Sequence, residues 1–138
     1  MKTGLQFGTE IQAPPHAGLY QTICADPPWL ERGGGKIKRG ADRHYPLMAT
    51  ADICALPVSR WAAPDAHLYL WVTNNFLEAG LRVMQMWGFR YVTLITWMKD
   101  RPGLGQYFRG MTEHCLFGVR GRLPYALSDD GHRLQGTT

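Results

Sequence analysis

Asp26-Pro27-Pro28-Trp29 sets an acid, two imino residues and an aromatic in four consecutive positions. Proline has no backbone N–H and holds its φ near −65°, and each proline pushes the residue before it toward extended backbone. The tetrapeptide is therefore a stiff corner that presents a carboxylate and bare carbonyls, with no amide donor from either proline. A site made of acceptors suits a group that donates two hydrogens, such as an exocyclic amine, and Trp29 offers a flat surface to the ring bearing it. Stacking of a base on an aromatic side chain contributes about 1–3 kcal/mol, and a hydrogen bond to a charged acceptor about 1.5–3 kcal/mol. The alternative is an ordinary turn after a strand, with Asp26 capping its own loop and Trp29 in the core.

The elements around the corner suggest how it is positioned. Residues 19–25, "LYQTICA", form a short apolar run that reads as a buried strand ending at Asp26. "TADICALPVSRW" reads as a short helix capped by Thr50 and cut off by Pro57. "HLYLWVT", residues 67–73, is nearly continuous in apolar character, as in strands covered on both faces. In "NNFLEAGLRVMQMWG" the spacing predicts a helix with Leu77, Leu81 and Met84 on one face, Asn74 or Asn75 as cap and Gly88 as terminator. "FRYVTLITWM" is the longest strand candidate and "EHCLFGV", residues 113–119, another. Strand, helix and strand across residues 67–98 make a βαβ unit with parallel strands, so the fold class is α/β. Ligands in such sheets bind outside the carboxyl ends of the strands. That rule brings Asp26, Asn74 and Lys99 to one rim. Asn74 lines the pocket or caps the helix; Lys99 meets phosphate or base, or is a solvated strand end.

Beyond the corner lies a glycine-rich loop in which Arg32, Lys36, Lys38, Arg39 and Arg43 are opposed only by Glu31 and Asp42. Either it contacts phosphates, chiefly through Lys36, Lys38 and Arg39, or it is solvated with no ligand. "GGGKIK" is not a P-loop, lacking the leading glycine and the hydroxyl residue after lysine, and in "GLGQYF" Phe108 stands where a dinucleotide fingerprint needs its third glycine. The net charge of +4 on 138 residues is a mild sign of a polyanionic partner. One domain is expected. No apolar run approaches the roughly 18 residues of a membrane span, and the N-terminus has no signal-peptide pattern, so the expected location is cytoplasmic. Cys24, Cys54 and Cys115 lack metal or disulfide spacing and read as reduced, mostly buried thiols.

"ADPPW" resembles the catalytic motif of the MT-A70-like adenine-N6 methyltransferases. The likeness continues through "HYPLM", "ALPV", "HLYLWVTN", "MWGFRYVTLITWMK", "PGLGQYFRG" and "EHCLFGVRG", in the family's order, over residues 19 to 122. The resemblance implies methyl transfer from S-adenosylmethionine to adenine N6 in nucleic acid, DNA favoured over RNA, with a homo- or heterodimer as a possible assembly. It implies that Asp26, Pro27, Pro28 and Trp29 are catalytic, that Asp26 also meets the cofactor, and that Tyr45 stands at the mouth of the site or anchors its loop.

Family members continue with "HSxKP", "LELFAR"-like and "WGNE"-like segments, whereas residues 123–138 here are polar and carry none of these. The expectation is a partial Rossmann-like, class I methyltransferase sheet: an arm at 1–18, the catalytic half at 19–122, and a divergent tail at 123–138 without the C-terminal half that binds the cofactor. A non-catalytic nucleic-acid-binding or dimer-partner module of that family is the other reading.

Overall fold

The computed structural model describes residues 20–30, 46–103, 105 and 107–122. The expected arm, the basic loop with Lys36, Lys38, Arg39 and Tyr45, and the polar tail all lie outside the described residues.

Four strands form one sheet: β1 (Tyr20–Ala25), β2 (Ala62–Val72), β3 (Arg90–Met98) and β4 (Thr112–Arg120), in the order β1-β2-β4-β3. β1 and β2 are parallel, while β4 runs antiparallel to both β2 and β3. This is a partial Rossmann-like sheet. Helices α1 (Thr50–Cys54), α2 (Val58–Trp61) and α3 (Leu77–Met86) complete the α/β fold, with a 3₁₀ turn at Asn74–Phe76.

The βαβ expectation holds in direction and fails in adjacency. β2 and β3 point the same way, but β4 is inserted between them. Burial explains the order: Cys115–Val119 is buried at every position, which suits a central strand, whereas β3 is exposed at both ends, as an edge strand tolerates. The chain returns from β3 through a hairpin connection and lays β4, buried from Cys115 to Val119, into the middle.

Ala66, Leu68, Leu70 and Val72 alternate along one face of β2 and belong to the core with Val83, Met84, Trp87 and Leu116. His67, Tyr69 and Trp71 take the other face, with rings of His67 and Tyr69 on Phe117 and of Trp71 on Trp97. The expected helical face of Leu77, Leu81 and Met84 is corrected: Leu77 and Leu81 are exposed, and α3 buries Gly80, Val83 and Met84. Gly80 decides the rotation, because a Cβ there would strike the Val72 side chain and come within 2.9 Å of Leu116 Cδ1.

The expected caps are absent as well. Ala49, not Thr50, holds the N-cap position of α1, and Phe76, not either asparagine, holds that of α3 after the 3₁₀ turn. Gly88 does end α3 as expected, with φ of 84° and a Phe89 N–H bond of 3.0 Å to the Met84 carbonyl. The expected helix ends before Pro57 as α1, and Pro57 stands at the start of a second, unexpected helix, α2. The indole of Trp87 ties α3 to α1 through a 3.1 Å bond to the Ile53 carbonyl.

Gly80→Val should overpack this contact and destabilise the protein by about 1–3 kcal/mol. Urea unfolding checks it as a lowered midpoint with an unchanged slope.

Candidate active site

β1, β2 and β3 run in one direction, so Ala25, Val72 and Met98 end at one rim, where β4 begins at Thr112. The rim carries Asp26, Thr73, Asn74, Lys99 and Glu113. The three residues expected there from sequence are all present.

Proline chemistry shapes the corner. The Trp29 N–H donates to the Pro27 carbonyl at 2.9 Å, a three-residue turn centred on Pro28, whose fixed φ suits it. The Pro28 carbonyl accepts the Met48 N–H at 2.7 Å, and the Leu30 N–H donates to the Met48 carbonyl at 3.1 Å. Both proline carbonyls are therefore engaged, which corrects the expectation of bare acceptors; Pro27 keeps one lone pair for a ligand. These bonds form an isolated bridge between Trp29 and Met48, and the basic loop leaves and returns at its two sides.

Trp29 is the larger correction. It is 6% exposed, its indole Nε1 donates to the Trp71 carbonyl at 3.0 Å, and its ring stacks on Phe76 with centroids 5.4 Å apart. An indole held this way is a peg that fixes the corner to β2 and the 3₁₀ turn, not an open platform for a base. Pro27 is buried beside it and Pro28 half-buried.

Asp26 stays accessible at the end of β1. Partial desolvation by the surrounding strand ends, and secondly the negative charge of Glu113, raise its carboxyl above the ordinary 3.8. A carboxylate of higher proton affinity is a better acceptor for an amine hydrogen. Sequence reasoning passed over Glu113. The β3–β4 register sets it opposite Trp97, and it forms an ion pair with Lys99, whose ammonium also lies 5.6 Å from the Trp97 ring centroid. Lys99 is thus neither a solvated terminus nor an unengaged cation. Asn74 is exposed on the rim and caps nothing. The buried Thr73 hydroxyl has no hydrogen-bond partner among the described residues, although Thr73 occupies the N-cap position of the 3₁₀ turn.

Cys24 is exposed, against the expectation of buried thiols, and Cys54 is half-buried. Cys115 is buried, and desolvation, with Cys24 second, pushes its thiol up to about 11.

Residues 20–134 match the family model MT-A70. The chain belongs to the MT-A70 family. The matched span starts with β1 and runs past Arg122. Among similar proteins, the human N(6)-adenosine-methyltransferase catalytic subunit METTL3 is 30% identical over 115 residues, covering 75% of this chain and 18% of that protein. The Mycoplasma Type II methyltransferase M.MunI is 28% identical over 125 residues, covering 76% of this chain and 53% of that protein. The Arabidopsis N6-adenosine-methyltransferase non-catalytic subunit MTB is 30% identical over 125 residues, covering 82% of this chain and 15% of that protein. The chain thus spans about a sixth to about a half of the length of these MT-A70 relatives.

A carboxyl with a raised folded-state pKa contributes stability that is full below its unfolded value and lost as pH rises through the folded one. Asp26→Asn should therefore be more stable than wild type at neutral pH, with the difference vanishing as pH falls to about 3.8. Denaturation midpoints across that range check it. Glu113→Gln should lower the Asp26 pKa, read directly by carboxyl carbon NMR.

Proposed function

We propose that this chain carries the amine-activating corner of an adenine-N6 methyltransferase acting on nucleic acid, with DNA favoured over RNA. The observation that carries the reading is the accessible Asp26, of raised proton affinity, held at the carboxyl end of β1 by a rigid Pro-Pro-Trp peg in an MT-A70 chain. The names of the human and Mycoplasma relatives, an N(6)-adenosine-methyltransferase and a Type II methyltransferase, support the reaction class. The preference for DNA rests on family analogy alone, with the Mycoplasma Type II methyltransferase as the prokaryotic relative.

Adenine N6 is a poor nucleophile because its lone pair is delocalised into the ring. One amine hydrogen donates to the Asp26 carboxylate and the other to the remaining lone pair of the Pro27 carbonyl. Two acceptors placed this way favour a pyramidal nitrogen and return the lone pair to it. Positioning and electrostatics supply the acceleration. The proton released as the N–C bond forms passes to Asp26 or to water. Trp29 acts through Asp26: its buried indole holds the backbone that aims the acid.

S-adenosylmethionine, when bound, would supply an electrophilic methyl group on a sulfonium centre, whose methyl–sulfur bond breaks as the N–C bond forms and which leaves as a neutral thioether. The residues present fit such a molecule at this rim. Asp26 and Glu113 give a negative field for its positive charges, and the partnerless Thr73 hydroxyl is a polar group available to it. Asp26 would hold the cofactor as well as the amine. Lys36, Lys38 and Arg39, with Tyr45 and Asn74, complete the proposed substrate contacts. Lys99 would join them only by leaving Glu113.

The second reading is a non-catalytic partner subunit, favoured by the similarity to the subunit named non-catalytic. Calorimetric titration of the chain with S-adenosylmethionine separates the two readings. Binding heat, with N6-methyladenine formed on adenine-containing DNA or RNA, supports the enzyme; no heat at millimolar ligand overturns autonomous catalysis.

In an assembly with measurable turnover, Asp26→Ala should reduce methyl transfer about a hundredfold or more while oligonucleotide binding stays nearly unchanged. Replacing Lys36, Lys38 and Arg39 by glutamine should weaken binding on all sequences and lower the salt slope by about two to three. Binding isotherms at several salt concentrations read that slope.

A further inference from the structure

The connection between β3 and β4 contains two aromatic side chains that the catalytic corner does not use. Tyr107 is fully exposed and Phe108 is 86% exposed. Water-facing aromatic rings leave a large apolar area uncovered, and two in sequence mark a contact surface more often than a single one does. Tyr107 also has a φ of 60°, and it is the non-glycine residue with positive φ among those described. A bulky side chain in left-handed backbone is a strained arrangement, of the kind found at functional sites.

The tip is braced from within. The Lys99 N–H donates to the Met111 carbonyl and the Gly103 N–H to the Gly110 carbonyl, both at 2.7 Å, extending the β3–β4 ladder outward. Arg109 reaches across, its Nε and Nη2 each 3.3 Å from the carbonyls of Gly103 and Pro102 respectively. Gly105 packs so closely on the Phe108 carbonyl that a Cβ would strike it, and would come within 3.1 Å of the Gly110 nitrogen. The rings are carried by a folded hairpin, and such preorganisation reduces the entropy lost on binding.

Charge and position narrow the partner. With Lys99 already paired to Glu113, residues 100 to 111 hold Arg101 and Arg109 against Asp100, two positive groups minus one negative, or +1. The hairpin rises from the end of β3 and the start of β4, the rim that carries Asp26 and Glu113. Aromatic faces interleaved with cations beside a site for a base are what unstacked nucleic acid engages: rings stack on bases and cations meet phosphates.

We propose that the Tyr107–Phe108 tip is a stacking wedge for an unpaired or unstacked nucleic-acid strand, which it holds beside the Asp26 rim. The proposal deepens the nucleic-acid reading above and rests on it. Tyr107 and Phe108 take bases without sequence preference, and Arg101 takes an adjacent phosphate.

Fluorescence anisotropy of the full chain with a labelled single-stranded oligonucleotide, and with its duplex, tests this. Y107A/F108A should bind the single strand at least about tenfold more weakly with an unaltered salt slope, since no charge is removed, and should keep the wild-type melting temperature. Arg101→Gln should instead lower the salt slope by about 0.7. G105A, which disturbs the tip without removing a ring, should also weaken binding. Wild-type affinity in Y107A/F108A overturns the wedge while leaving the methyltransferase reading standing. Loss of self-association in that variant at unchanged oligonucleotide affinity overturns it too and assigns the tip to a protein contact. No binding by wild type to either oligonucleotide overturns both this proposal and the nucleic-acid reading.

Discussion

The geometry of the rim depends on the anchoring of Trp29. Its indole donates to the Trp71 carbonyl, its ring lies on Phe76, and its backbone joins Pro27 on one side and bridges to Met48 on the other. A short chain segment after a strand would ordinarily sample many conformations, each residue fixed costing about 1–2 kcal/mol in entropy. Two prolines remove much of that freedom in advance, and the buried indole removes the rest. The neighbouring carboxylate can then stay partly desolvated without collapsing onto a local donor.

Around this peg the acid responds to its surroundings. β4 enters the middle of the sheet antiparallel to both neighbours, so its first residues arrive at the rim where the other three strands end. That arrival brings Glu113, which raises the proton affinity of Asp26 and at the same time occupies Lys99. A wholly parallel sheet would begin every strand at the opposite edge and bring no such neighbour. The inserted strand thus gives the rim a second carboxylate and a cation already matched to it.

What could be read beforehand followed the strength of local patterning. Four strands and the helix after Asn75 were visible from apolar runs and from Gly88, whose positive φ the terminator pattern anticipates. The gathering of Asp26, Asn74 and Lys99 at one rim followed from strand direction alone. The insertion of β4 was hidden, because neighbour order depends on which strand has most to bury and not on any signal within one strand. The face of α3 was misassigned for a related reason: Leu77 and Leu81 are more hydrophobic than Gly80, but only glycine lets the helix approach Val72 and Leu116. Trp29 illustrates the limit of chemical inference, since the same ring suits a base and a core, and Phe76 with the Trp71 carbonyl decided between them. Glu113 opens the segment "EHCLFGVRG" without any role of its own being legible there; the antiparallel entry of β4 made it a neighbour of the acid.

The bridge between Trp29 and Met48 has a consequence for how such a protein diversifies. The hydrogen bonds at Leu30 and Met48 staple those two residues together, so their spacing does not depend on the length of chain between them. Doubling the length of chain closed between two fixed points adds only about 0.6 kcal/mol of closure entropy. Insertions, deletions and wholesale exchange of its residues leave the spacing between β1 and α1 undisturbed. Chain length can therefore change between those two residues while the corner that carries Asp26 keeps its place.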